Sequence, residues 1–93
     1  MKGESMAARV MFRAEFFQEG ELFVGLSPEL SVSSFGETLE EAKRSLQEAV
    51  EAFIEECEAM VTLKEVLEEA GFEQQENLWV PRKPLTAELL SVG

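Results

Sequence analysis

Histidine, tyrosine and aspartate are absent from these 93 residues, and Cys57 is the one cysteine. Those absences remove most of the side chains that serve as general bases, nucleophiles and metal ligands. A lone cysteine forms no internal disulfide, which fits the reducing cytoplasm as the expected location. No apolar run reaches the eighteen or so residues of a membrane span, so no membrane partner is expected. The opening stretch, Met1 to Phe12, lacks a continuous apolar run followed by a cleavage site, and no secretion signal is read there. Gly20, Gly25 and Gly36 lack the spacing of a phosphate loop or dinucleotide turn, so no cofactor is expected. Positive charge is scarce too: eight Lys and Arg stand against nineteen acids, a net charge of −11.

What is present is the composition of one small globular domain over 1–93, with 45% hydrophobic and 29% charged residues. All nineteen acids are Glu, and they are unevenly spread. From Glu37 to Glu76 thirteen Glu face Lys43, Arg44 and Lys64, a balance of −10, while the rest of the chain carries −1. Such a field repels phosphate backbones and attracts basic surfaces, so direct nucleic-acid binding is not expected and a basic protein partner is. The plainer reading of the same Glu is a coat that keeps the domain in solution.

Paired Glu can in principle serve as acid and base or hold a divalent metal. Glu40-Glu41, Glu55-Glu56 and Glu68-Glu69 are neighbours on helical stretches, however, and neighbours on a helix point in different directions. Neither a metal site nor catalysis is expected.

Three runs have the period of two that marks half-buried antiparallel strand: VMFRAEFF (Val10–Phe17), LFVGL (Leu22–Leu26) and LSVSSF (Leu30–Phe35). A three-residue loop Gln18-Glu19-Gly20 would pair Phe16 with Leu22, Ala14 with Val24 and Phe12 with Leu26, gathering apolar residues on one face. A turn around Ser27-Pro28-Glu29 would pair Leu26 with Leu30 and Val24 with Val32. In that register Phe17, Phe23 and Phe35 lie together on the second face, with Met11 further along. These four are the candidate interface. A cluster of aromatics there implies a cover: the tail of this chain, a second copy, or another protein.

A long helix follows. Thr38 and Glu41 form a capping box, and Leu39, Ala42, Leu46, Ala49, Val50, Phe53 and Cys57 make one apolar stripe. Cys57 therefore reads as a core residue. Thr62 with Glu65, and Val61 with Val66, predict a second capped and stapled helix over 62–70, stopped at Gly71-Phe72. An extended segment over 76–93 completes the chain, with NLWV as a strand before Pro81 and LTAELLSV as a last edge strand or tail. The expected class is α+β: a three-stranded meander packed by one long helix within a core of 9–58, then a short helix and a terminal strand.

Taken in order, an acidic-Gly turn, an aromatic in the next strand, Pro28-Glu29-Leu30, then Gly36-x-Thr38-x-Glu40-Glu41-Ala42 and a further Glu-Ala resemble the HicB-like antitoxin family. The likeness runs from Phe12 to Glu56, about half the chain. It departs from the family's usual Pro-Glu-Leu-Pro-Gly by placing Ser31-Val32 after Leu30. The resemblance implies a β-β-β-α unit akin to part of a ribonuclease H fold without its catalytic carboxylates. It implies a homodimer or homotetramer, and a small basic HicA-type mRNA-cleaving toxin as the partner to be neutralised. Fuller family members carry a DNA-binding domain at the C-terminal side; Thr62–Gly93 is short and acidic for that, so no DNA binding is expected. The stretch TLKEVLEEAGFE also resembles the first helix of HicA toxins, but those carry a catalytic histidine and this chain has none. The alternative is a stand-alone oligomeric domain with no toxin partner.

Overall fold

A computed structural model of the chain describes residues 9–93. The stretch read as lacking a secretion signal lies mostly outside them. The order of elements is β1 (Arg9–Val10), β2 (Glu15–Glu19), β3 (Leu22–Ser27), β4 (Val32–Gly36), α1 (Leu39–Ala59), α2 (Leu63–Glu69), β5 (Phe72–Gln75) and β6 (Leu78–Pro81). Strands β2-β3-β4 form the antiparallel meander, and α1 covers one of its faces. Strands β1-β6-β5 form a second three-stranded sheet, in which β1 runs parallel to β6. The α+β class is as expected; the second sheet is not.

Both hairpin registers differ from those that match apolar faces. The first loop is the two-residue Gly20-Glu21, with Glu19 opposite Leu22, Phe17 opposite Val24 and Phe16 opposite Gly25. Gly20 takes φ 62 at the first loop position, which suits a type II′ turn whose twist matches that of the strands. The second loop spans the four residues Pro28 to Ser31, setting Ser27 opposite Val32 and Val24 opposite Phe35. Ser31 takes φ 57 and its N–H donates to the Ser27 carbonyl at 2.8 Å. Leu30, expected to pair with Leu26, instead drops into the core at 8% exposure. Each register is offset from the expected one by three residues, an odd number, so β3 turns its opposite face to the core while β2 and β4 keep theirs.

The face turned to α1 carries Phe16, Gly25 and Ser34 in one cross-strand row, and Phe23 beside Gly36 in another. Its small residues let the helix come close. A Cβ on Gly25 would lie 2.8 Å from the Phe16 ring and 3.3 Å from Leu46, and the Ser34 and Ser45 hydroxyls sit 2.7 Å apart. Ala42, Leu46, Val50 and Cys57 are the buried stripe of α1, as their spacing predicts. Thr38 Oγ1 accepts the Glu41 N–H at 3.0 Å, while the Glu41 carboxylate accepts from Glu37 N rather than from Thr38 N.

The link between the helices departs from expectation. Thr62 makes no side-chain cap on α2, and its hydroxyl donates back to the Cys57 carbonyl at 3.4 Å. Val61 is 88% exposed, so it does not staple Val66. Instead Thr62 N donates to Cys57 O and Val61 N to Glu58 O, the paired bonds of a Schellman ending to α1. That ending puts Val61, a β-branched residue, at φ 57. The left-handed region costs a non-glycine residue about 1–2 kcal/mol, part of which glycine gives back as unfolded-state entropy. Val61→Gly is therefore expected to stabilise the domain by about 1 kcal/mol. Thermal unfolding should show a midpoint raised by roughly 4–8 °C; an unchanged or lowered one would remove the strain account.

Gly71, at φ 95, ends α2 as predicted, and Phe72 beyond it is buried. From there the chain makes β5 and returns as β6, turning through Glu76 at φ 58. Val10 belongs to this sheet, opposite Trp79, so the run Val10–Phe17 is two strands joined by an irregular stretch over 11–14. Arg13 in that stretch binds the Glu29 carboxylate at 2.9 Å and donates to the Arg82 carbonyl at 3.0 Å, tying the second hairpin loop to the end of β6. The core joins Leu30, Leu46, Val50, Leu67, Phe72 and Trp79. Residues 82–93 form no strand: Pro81 and Pro84 withhold ladder donors, and adjacent Leu89-Leu90 breaks the alternation.

Candidate functional site: an apolar sheet face and an acidic groove

Among the described residues nothing covers the meander's outer face, away from α1. Phe17, Val24 and Phe35 form one row across β2, β3 and β4, and Leu22 and Leu26 extend it along β3. Phe17 is 50% and Phe35 63% exposed. Of the four candidate interface residues, these two are together on that face. Phe23 is not: it faces α1, because the registers shift by an odd number of residues. Met11 is 50% exposed but lies outside the meander, its N–H donating to Trp79 O in the second sheet. Leu22, Val24 and Leu26, expected on the core face, belong instead to this outer face.

Between segment 10–12 and α1 runs a groove of about 390 Å³ whose floor is Val10, Phe12, Val50 and Ile54. Its rim is Glu51, Glu55 and Glu58, spaced i, i+4 and i+7 on one side of the helix. The spacing was visible in the sequence; the apolar floor was not, because it depends on segment 10–12 crossing to the second sheet. All seven Glu of α1 are exposed, and Lys43 lies 3.8 Å from Glu40. A strip of apolar floor with carboxylates along one edge suits Lys or Arg side chains. Their aliphatic stems can lie on the floor while their charged ends reach the carboxylates.

Among the described residues no three potential metal-ligating side chains converge, and no helix is long and apolar enough to cross a membrane. Cys57 is buried. The arrangement defines a small α+β domain with an exposed apolar sheet face and a groove edged by Glu. Comparison with protein-family models, curated proteins and solved structures found no match.

Proposed function

We propose that this chain is a non-catalytic, cytoplasmic binding protein of the HicB-like antitoxin type. It takes up a small basic HicA-type mRNA-cleaving toxin through protein–protein contacts and holds it inactive. The observation that carries this reading is the groove, apolar along its floor and lined by Glu51, Glu55 and Glu58. The charge of the 37–76 region would speed the encounter with a basic partner more than it would tighten the complex. The second reading, a stand-alone oligomeric domain, is favoured by the Phe17–Val24–Phe35 row, which carries no charge and suits self-association.

Native mass spectrometry of the protein taken from its own cells, at low and then high salt, tests the first reading. The expected result is one small basic partner, lost as salt rises, whose RNA cleavage reappears once it is released. In purified form, Glu51→Lys with Glu55→Lys should weaken that complex tenfold or more while leaving the fold intact, since both side chains are exposed. A homo-oligomer with nothing else attached would favour the second reading.

A further inference from the structure

The groove that Glu51, Glu55 and Glu58 border does not end with them. A second stretch of about 420 Å³ adjoins it and shares Val10, Phe12 and Gln47 with it. This stretch is apolar along Phe16 and Leu46, and its charged lining residues are Arg9 and Lys43. Together the two stretches follow α1 from Lys43 to Glu58, roughly 22 Å at about 1.5 Å per residue. Along that line one side of the helix reads Lys43, Gln47, Glu51, Glu55 and Glu58: positive, neutral, then negative. Lys43 lies 3.8 Å from Glu40, and both side chains are more than half exposed. A pair so loose and so wet contributes little, which leaves the ammonium open to a closer carboxylate.

We propose that this trough takes an extended segment of a partner protein that is basic at one end, apolar in the middle and acidic at the other. The basic end lies along Glu51, Glu55 and Glu58, and the acidic end between Arg9 and Lys43. At about 3.3 Å per residue, about seven extended residues span the trough. A helix, about 10–12 Å across, would overfill stretches of 390 and 420 Å³. Charge complementarity selects the order: a segment basic throughout would set a cation against Arg9 and Lys43. The helix strengthens the same polarity. Its macrodipole is negative at the C-terminal end, where the Glu rim lies, and the last turn of α1 holds no basic residue to offset it. Glu at that end, and Glu51 four residues before Glu55, both weaken the isolated helix, and a bound cation relieves both. The inference rests on reading the groove as the place where a basic partner binds, and adds that the bound segment is acidic at its far end.

Capped synthetic peptides titrated into the full chain test it, with amide NMR spectra giving both affinity and place. Lys-Lys-Val-Thr-Val-Glu-Glu should move the Val10, Phe12 and Gln47 amides. It should bind at least tenfold tighter than Lys-Glu-Val-Thr-Val-Glu-Lys, which has the same composition and net charge with the signs interspersed. Arg9→Glu with Lys43→Glu changes two exposed side chains and should weaken the first peptide at least tenfold, with the spread of amide signals unchanged. Equal binding of the two peptides, binding of neither, or shifts away from the trough would overturn the proposal. Binding that the Arg9 and Lys43 changes leave intact would also overturn it, while the Glu rim would still stand as a site for a basic partner. Two further results would give the trough another occupant and sink the idea. One is binding only by a chain that starts at Arg9, which makes the occupant residues 1–8. The other is movement of the trough amides on dilution of the protein alone, which makes it a second copy.

Discussion

Gly36→Ala is expected to destabilise the domain by about 3 kcal/mol, the upper part of the usual range for overpacking. Gly36 ends β4 directly beneath the first turn of α1. A Cβ there would stand 2.6 Å from the Ala42 backbone nitrogen, 2.7 Å from Glu41 Cβ and 2.8 Å from the Glu41 carbonyl carbon. Two of these three are backbone atoms of a helix, so no rotamer change relieves the clash. The helix start must lift, and with it go the Thr38 cap, the Glu37–Glu41 bond and the Ser34–Ser45 hydroxyl pair. For a domain of this length the unfolding midpoint should fall by roughly 10–20 °C. Gly20→Ala is the comparison: its Cβ would meet nothing within 4 Å, and its φ of 62 costs only about 1 kcal/mol. If calorimetry finds Gly36→Ala no worse than Gly20→Ala, the close seating of α1 on β4 is wrong.

That seating also explains what could and could not be read from the residues. Thr38 capping the Glu41 N–H and Gly71 ahead of Phe72 act within a few positions of themselves and hold in the fold, although Thr62 with Glu65 and Val61 with Val66, just as local, lose to the Schellman ending of α1. The long helix and its stripe of Ala42, Leu46 and Val50 are legible for the same reason. The hairpin registers are not, since matching apolar faces assumes that the most apolar face is the buried one. Here the meander turns Gly25, Ser34 and Gly36 toward the helix. Close approach of backbone to helix outweighs the extra apolar area that Leu22, Val24 and Leu26 would have buried. The second sheet was hidden for a different reason: β1 pairs with β6 from the far end of the chain, and β5 reads Phe-Glu-Gln-Gln with no alternation.

The same choice of face leaves an apolar row exposed, and this bears on function. A protein that puts its small residues inward and Phe17, Val24 and Phe35 outward has a second surface to cover. The apolar row and the Glu-rimmed groove lie on different elements, one on the outer side of the meander and one along α1. An occupant of the face and an occupant of the groove would then not compete, and mutations in one should leave binding at the other intact.

Trp79→Ala is expected to have the largest effect of any single change, a loss of about 3–5 kcal/mol. Trp79 is 4% exposed on β6, the central strand of the second sheet, between Val10 on one side and Gln74 on the other. Its side chain belongs to the cluster with Leu46, Val50, Leu67 and Phe72, so it joins the second sheet to the helices. Removing the indole opens a cavity at that junction, which β1, with two residues, and the seven-residue α2 are too short to close by shifting. Total stabilities of 5–15 kcal/mol mean that the variant would sit near its unfolding threshold at ordinary temperature. Trp79→Phe, which keeps a ring in place, should lose less than half as much. Urea titrations followed by circular dichroism give both values from the midpoint and slope. A loss under 1 kcal/mol for Trp79→Ala would mean that the cluster ends with α1 and that α2, β5 and β6 are an appendage. A loss of the expected size makes the second sheet part of the fold's foundation, and the groove floor with it, since Val10 is placed there by its pairing with Trp79.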